Sequence, residues 1–128
     1  MITLLLVEDE PLVRYGLRMW LERVADITVV GEASNGAEAV ALAQVLHPDV
    51  VLMDISMPTI DGIAATEALS ALVPSCVVVL HSLYDDVTMR ARAHAAGAAT
   101  FVGKQEGVKV LLAAIREAGG RGRASPQE

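Results

Sequence analysis

The fold is decided by the stretch Val50-Val51-Leu52-Met53-Asp54, in which four apolar residues run directly into an acid. A short, uninterrupted apolar run is typical of a strand buried on both faces, as in a parallel sheet covered by helices. Two further apolar runs end in polar residues: residues 4–7 before Glu8-Asp9, and residues 100–102 before Gly103-Lys104. The sequence therefore predicts acids and a lysine at the ends of buried strands.

Those strand ends define a candidate binding site. In open α/β sheets, ligands bind outside the carboxyl ends of the strands. We expect Glu8, Asp9 and Asp54 to meet there, with Lys104 beside them. Two carboxylates about 4 Å apart repel by about 4 kcal/mol at an effective dielectric near 20, so the cluster requires compensation. A divalent cation with oxygen ligands is the simplest candidate, which favours phosphate chemistry.

Apolar runs and helical patterns alternate five times along the chain. Strands are predicted over residues 3–7, 27–31, 50–53, 77–80 and 100–102. Helices are predicted from Pro11, from Ser34-Asn35-Gly36, from Asp61-Gly62, from Asp85 or Asp86, and after Gly107. This alternation predicts an α/β fold with a parallel sheet, because right-handed crossovers place helices on both faces.

Two helices have a clear apolar face. The first, over residues 11–24, is expected to bury Val13, Leu17, Trp20, Leu21 and Val24. The last is expected to turn inward Val108, Leu111, Leu112, Ile115 and Ala118. Residues 119–128 are rich in glycine and arginine without apolar periodicity, so we expect a domain over 1–118 followed by a linker-like tail.

Composition excludes several classes of protein. The 128 residues are 53% hydrophobic but only 3% aromatic, which fits one domain with an aliphatic core. No apolar run approaches the roughly 20 residues that span a bilayer, so we expect no membrane contact. The net charge of −6 argues against direct binding of DNA. The single cysteine, Cys76, is expected to be a buried thiol in a cytoplasmic protein.

Taken together, the motifs resemble the receiver domain of bacterial two-component response regulators. The resemblance covers residues 2 to 118 and rests on Glu8-Asp9, Asp54-Ile55-Ser56-Met57-Pro58, Asp61-Gly62, Ser82, Phe101 and Lys104. Residues 7–14 and 83–86 are most similar to the NarL/FixJ subfamily. The resemblance implies a flavodoxin-like (βα)5 doubly wound sheet with strand order 2-1-3-4-5. It also implies an output domain of the LuxR helix-turn-helix type, absent from this chain, through which DNA would be bound.

The family also implies a role for each site residue. Asp54 would accept a phosphoryl group from a sensor histidine kinase. Mg²⁺ would be bound by Asp9 and Asp54 directly, by Glu8 through water and by the backbone carbonyl of Ser56. The expected function is a signalling switch, rather than an enzyme, that controls an output such as transcription and dimerises on phosphorylation.

Three further residues would act on the phosphoryl group or respond to it. Lys104 would pair with Asp54 at rest and with a phosphoryl oxygen afterwards. Ser82 would hydrogen-bond another phosphoryl oxygen, and Phe101 would rotate inward as the loop moves. His81 is expected to be an outward-facing loop residue without a role, and neither His47 nor His94 is assigned one.

One alternative remains open, and two other readings of the same residues fit poorly. The main alternative is a receiver-like protein-interaction module that works without phosphorylation. A haloacid dehalogenase type of phosphatase would need a second acid two residues after Asp54, where Ser56 stands. A flavodoxin-type electron carrier would need a phosphate-binding loop after the first strand, where Glu8-Asp9-Glu10 would repel a phosphate.

Overall fold

The fold consists of five strands that alternate with five helices. The computed structural model describes residues 1–55, 60–83 and 85–123. The strands are β1 (Ile2–Val7), β2 (Ile27–Ala33), β3 (Val50–Ile55), β4 (Val77–Ser82) and β5 (Thr100–Gly103). The helices are α1 (Pro11–Glu22), α2 (Gly36–Leu46), α3 (Ile60–Leu72), α4 (Val87–Ala96) and α5 (Val108–Arg123), with a short 3₁₀ helix over Lys104–Glu106.

The strands form one parallel sheet in the order β2-β1-β3-β4-β5, which confirms the predicted order. The register pairs Val7 with Met53, Asp54 with His81 and Ser82 with Gly103. The carboxyl ends of the four strands β1, β3, β4 and β5 therefore lie side by side along one edge of the sheet.

Two apolar layers, one on each face of the sheet, form the core. Under α1 and α5 lies the first layer, which includes Leu4, Leu6, Leu52, Val79, Leu111 and Ile115. Under α2, α3 and α4 lies the second layer, which includes Leu5, Val51, Met53, Leu69, Leu80 and Phe101. Both layers are almost entirely aliphatic, and helices cover both faces of the sheet as predicted.

Helix ends follow the predicted capping residues. The Asn35 side chain accepts a hydrogen bond of 2.9 Å from the backbone N–H of Glu38 at the start of α2. Asp86 does the same for α4, accepting from the N–H of Met89 at 2.7 Å. Helix α4 is followed directly by Gly97, where φ is 107° and a Cβ would meet the Ser70 Oγ at 2.1 Å. Glycine is required there because an L side chain would be both strained and overlapping.

Four strands extend further than predicted at their carboxyl ends. β2 reaches Ala33, β3 reaches Ile55, β4 reaches Ser82 and β5 reaches Gly103. The prediction stopped each strand at or near its last apolar residue, but the ladder is made of backbone hydrogen bonds and continues through polar residues. As a result, His81 belongs to a strand, and the prediction that it lies in a loop is wrong.

Two predicted core positions lie on the surface. The side chains of Val13 and Val108 are 41% and 60% exposed, whereas Leu21, Leu111, Ile115 and Ala118 are buried as predicted. Each valine lies in the first turn of its helix, next to the carboxyl edge of the sheet. The residues at that edge include the polar Glu8, Asp54 and His81, and neither valine belongs to the apolar layer.

Helix α5 continues beyond the predicted domain boundary. It runs to Arg123, so residues 119–123 are helical and the helix extends five residues past the predicted boundary at residue 118. Gly119 is buried, and a Cβ there would meet Cδ1 of Ile2 at 2.6 Å. The missing side chain lets α5 pack closely on the start of β1. Residues 124–128 lie outside the described residues, and a linker to a further domain stays a prediction.

Two further predictions concern the cysteine and membrane-spanning segments. Cys76 is buried as predicted, and burial raises the pKa of its thiol to about 12, which leaves the sulfur unreactive near neutral pH. Within the described parts of the chain, no helix is both long and apolar enough to span a bilayer.

Candidate functional site

A row of polar side chains lies along the carboxyl edge of the sheet. Glu8 follows β1, Asp54 is in β3, His81 is in β4 and Lys104 follows β5, and these strands are neighbours in the sheet. Side chains alternate between the faces of a strand. Each of the four stands two residues after an apolar residue of the layer under α1 and α5, so all four side chains are expected on that side of the sheet. The four apolar residues are Leu6, Leu52, Val79 and Val102. The predicted meeting of Glu8, Asp54 and Lys104 is therefore present in the structure.

Asp54 is at the centre of this row. It is 5% exposed; its Oδ1 lies 2.5 Å from Nζ of Lys104, and its Oδ2 lies 3.0 Å from Nδ1 of His81. Lys104 and Asp54 form an ion pair rather than a well-aligned hydrogen bond. Burial alone would raise the pKa of Asp54, but His81 and Lys104 outweigh burial and hold that pKa below its ordinary value. The carboxylate is therefore ionised at neutral pH, as a nucleophile must be.

Glu8 behaves in the opposite way. It is 1% exposed, and its Oε2 accepts a hydrogen bond of 2.8 Å from the backbone N–H of Glu10. Burial raises the pKa of Glu8 to about 8, helped by carboxyl contacts with Asp54 and Asp9. Glu8 therefore holds a proton near neutral pH, and the Glu8–Asp54 pair carries one negative charge instead of two.

This shared proton predicts how stability depends on pH. In the unfolded chain Glu8 titrates near 4.5, so between pH 4.5 and about 8 the folded protein holds a proton that the unfolded chain has lost. The free energy of unfolding should therefore fall as pH rises through this range. One pKa unit corresponds to about 1.4 kcal/mol, so we expect a loss on the order of a few kcal/mol, measured by urea unfolding without divalent metal.

Two variants separate Glu8 from the rest of the chain. Glu8→Gln keeps the shape without the titration and should flatten the dependence between pH 5 and about 8.5. Glu67→Gln, at an exposed position of α3, is the matched control and should keep the wild-type slope. A wild-type slope in Glu8→Gln would show that the proton resides elsewhere.

The predicted metal ligands are only partly assembled. Asp9 is exposed and contacts Glu8, which in turn contacts Asp54. Among residues 1–55, 60–83 and 85–123, no three His, Cys, Asp or Glu side chains are arranged to hold a metal ion. The predicted carbonyl ligand, Ser56, lies outside the described residues, as do Met57 and Pro58. The ligand set thus stays a prediction.

The two predicted switch residues are both buried. Ser82 is 1% exposed and is the last residue of β4, directly after His81. Phe101 is 8% exposed and packs in the layer under α2, α3 and α4. The sheet therefore separates the Phe101 side chain from the four-residue row around Asp54.

A charged cluster around Arg90 contacts Phe101. Nη1 of Arg90 donates to the Phe101 carbonyl at 3.0 Å, and the guanidinium lies 5.1 Å from the ring centroid. Nη2 of Arg90 donates to Asp85 at 2.8 Å and to Glu106 at 2.7 Å. Arg90 also holds the pKa of Asp85 below its ordinary value. This cluster ties the segment after β4 to the turn after β5.

Sequence reasoning missed both His81 and Arg90 as parts of this region. A usable signal existed for His81, because it lies at an even spacing from Val79 and so shares the face of the site. The sequence around Arg90 gives no signal that predicts its contacts, since its side-chain partners come from the segment after β4 and from the turn after β5. Chemically, the site combines an ionised buried carboxylate, a paired cation, an imidazole and a protonated acid.

Comparison with known proteins gives a consistent result. The profile of the family described as response regulator receiver domain matches residues 4–116. The response regulator GacA of Pseudomonas aeruginosa is 38% identical over 128 residues, which cover 99% of this chain and 60% of GacA. The response regulator UvrY of Escherichia coli is 39% identical over 116 residues, which cover 91% of this chain and 53% of UvrY. The chain thus spans little more than half the length of these relatives.

A solved structure agrees with the fold. The signal receiver domain of NarL from Mycobacterium tuberculosis superposes with a TM-score of 0.77 at 33% identity, covering 90% of this chain and 96% of that one. The five-stranded order, the row of Glu8, Asp54 and Lys104, and the family profile agree with one another. The chain therefore belongs to the response regulator receiver domain family and is most similar to regulators of the NarL/FixJ type.

Proposed function

We propose that this domain accepts a phosphoryl group on Asp54 from a sensor histidine kinase and changes conformation in response. The observation that carries the proposal is the ion pair between Lys104 and a buried, ionised Asp54 at the carboxyl edge of the sheet. A buried carboxylate with a cation at one oxygen is a suitable acceptor, because the same cation can neutralise charge on the incoming group.

The reaction is a transfer between two residues. An oxygen of the ionised Asp54 attacks the phosphorus of a phosphohistidine on the kinase, and the bond between phosphorus and the histidine nitrogen breaks. The electron pair of that bond returns to the imidazole, and Asp54 becomes an acyl phosphate. Phosphoryl transfer depends mainly on positioning and on neutralisation of negative charge, since little covalent help is available. Lys104 supplies part of that neutralisation, with Nζ next to Asp54 Oδ1.

The carboxyl groups around Asp54 have the ligand chemistry that suits Mg²⁺. Glu8 and Asp54 are buried carboxyl groups that share a proton, and a divalent cation would replace that proton with stronger compensation. Asp9, Asp54 and the Ser56 carbonyl would hold the ion directly and Glu8 through water. When bound, Mg²⁺ would supply positive charge to the oxygens of the acceptor and of the phosphoryl group. An all-oxygen set of this kind suits Mg²⁺ or Mn²⁺ rather than zinc.

The wider setting follows from the family. We infer that the domain works in the cytoplasm as part of a longer regulator, that phosphorylation promotes a homodimer, and that transcription is the output. DNA would be bound only by an output domain, because the net charge of this chain is −6. GacA and UvrY are named response regulators, and each is longer than the part that this chain matches.

A labelling experiment tests the proposal directly. The wild-type protein is incubated with acetyl phosphate or phosphoramidate, with and without Mg²⁺, and followed by intact mass. We expect one phosphoryl group to be added with Mg²⁺ and little without it. Labelling that is indifferent to Mg²⁺ would contradict the proposed metal site, and no labelling with any donor would favour the interaction module that works without phosphate.

The conformational response can be tested with beryllofluoride, which mimics an aspartyl phosphate. In this complex we expect Ser82 to be drawn toward Asp54, Phe101 to change rotamer and the contact between Arg90 and the Phe101 ring to be lost. A ligand shifts an equilibrium only by contacts that differ between the two states, and Ser82 and Lys104 can make such contacts. The ring resonances of Phe101, the only phenylalanine of the chain, report the change.

Asp54→Asn is the control for this experiment, because it should form no beryllofluoride complex. The oligomeric state is measured on the same samples by sedimentation. If Ser82, Phe101 and the oligomeric state were the same with and without beryllofluoride, the domain would not be a phosphate-operated switch.

A further inference from the structure

The proposed transfer gives no role to His81, although this residue lies next to the acceptor. β3 and β4 pair Asp54 directly with His81, so the two side chains lie side by side on the same face of the sheet. Nδ1 of His81 lies 3.0 Å from Oδ2 of Asp54, and only 11% of the imidazole side chain is accessible. The contact is therefore short, shielded and determined by the strand register.

The direction of this hydrogen bond follows from the partner. An ionised carboxylate can only accept hydrogen bonds, so the imidazole donates through Nδ1. The carboxylate is then held at both ends, by Lys104 at Oδ1 and by His81 at Oδ2. Each carboxylate oxygen has a second lone pair, so the bond from His81 still leaves room for a metal ion or for attack on phosphorus.

We propose that His81 is a positioning residue for phosphorylation: it fixes the rotation of the Asp54 carboxylate and so the direction from which that group meets the incoming phosphorus. This inference rests on the proposed function of Asp54. His81 acts through the carboxylate and does not itself bond to the phosphoryl group.

The difference between the two donors explains why His81 matters. Lys104 has a flexible four-carbon side chain, and its positive charge is attracted to the phosphoryl oxygens. Its ammonium group can therefore move toward those oxygens during the transfer. His81 has a short, rigid side chain within a strand, so it keeps its place when Lys104 moves. During the transfer, the orientation of the carboxylate then depends on His81. Misplacement of a reacting group by about 1 Å can slow a reaction about 100-fold.

The kinetic test compares two substitutions at His81. His81→Leu removes the donor, and we expect phosphorylation by phosphoramidate with Mg²⁺ to slow by ~10-fold to ~100-fold. His81→Asn returns an N–H donor at nearly the position of Nδ1, and we expect it to recover the rate to within about 3-fold of wild type. His94→Asn, at an exposed position of α4, is the control for loss of a histidine and should react like wild type.

A spectroscopic test looks at the bond itself. In protein labelled with ¹⁵N-histidine, we expect His81 to be the Nδ1–H tautomer and its Nδ1 resonance to move in Asp54→Ala. The exposed His47 and His94 serve as internal references in the same spectrum and should not move. This measurement needs neither phosphodonor nor metal, so it separates the hydrogen bond from the reaction.

The outcomes distinguish this inference from the proposed function. If the wild type is not phosphorylated at all, the proposed function of Asp54 fails. If the wild type is phosphorylated and His81→Leu reacts at the same rate, the positioning role is overturned. It is also overturned if His81→Leu and His81→Asn are equally slow, since that result indicates that His81 contributes only by packing. An Nδ1 resonance of His81 that does not shift in Asp54→Ala would overturn it as well.

Discussion

Asp54→Asn is expected to abolish phosphorylation by small phosphodonors. The amide has nearly the same shape as the carboxylate, and its single oxygen can still accept a hydrogen bond from Lys104 or from His81, so the fold should be retained. It lacks the negative charge that makes the oxygen a nucleophile. Loss of a nucleophile usually costs a reaction at least about 10³-fold, and we expect labelling to fall to that extent in intact-mass time courses with Mg²⁺.

The matched control for this substitution is Asp86→Asn. Asp86 caps α4 from an exposed position, and asparagine is an equally good capping residue, so charge is lost without loss of structure. This control should be labelled like the wild type. If Asp54→Asn were labelled at the wild-type rate, or if peptide mapping placed the phosphoryl group on another residue, the assignment of the acceptor would be wrong.

Lys104→Met should give the second-largest effect. Methionine keeps much of the length of the side chain but removes the charge that lies 2.5 Å from Oδ1 of Asp54. Removal of one electrostatic partner of a transition state typically slows a reaction about 10²-fold to 10³-fold. We expect a loss of that size in the rate of labelling, with the site of labelling unchanged at Asp54.

Lys109→Met is the control for this substitution. Lys109 is exposed on α5, so the same change of residue there removes a charge of the same sign away from the site. A rate within about 2-fold of wild type is expected for it, because a screened surface charge contributes little. Equal slowing in both lysine variants would indicate a general effect of net charge and would remove Lys104 from the proposed mechanism.

The sequence was sufficient to predict the strands and the central residues of the site. Apolar runs that end in Glu8, Asp54 and Lys104 mark buried strands whose polar ends must meet, since parallel strands share one carboxyl edge. Helix boundaries were also predictable where a single residue determines them, as at Asn35 and Gly97. These features depend on residues that are close together in the chain.

Contacts that depend on register or on distant segments were not predictable. The ladder runs past the last apolar residue of β4, and this extension alone brings His81 to Asp54. Arg90 is an unremarkable helix residue in the sequence, yet its partners include Asp85 and Glu106 from separate turns. The prediction of Val108 as a core residue is wrong, because helical periodicity does not reveal where the sheet beneath a helix ends.

The alternation of Leu80 and His81 along β4 has a consequence for how a signal could leave the site. The sheet acts as a partition, with the chemistry around Asp54 on the side of α1 and α5 and with Phe101 on the side of α4. His81 contacts Asp54 on one side of the sheet, and the preceding residue, Leu80, packs in the layer of Phe101 on the other side, so a small movement of this strand would displace side chains on both sides at once. A series of contacts around the edge of the sheet is then not needed to carry the change from Asp54 to Phe101. The surface near α4 could be altered for a new partner while the reaction on the other side stays the same.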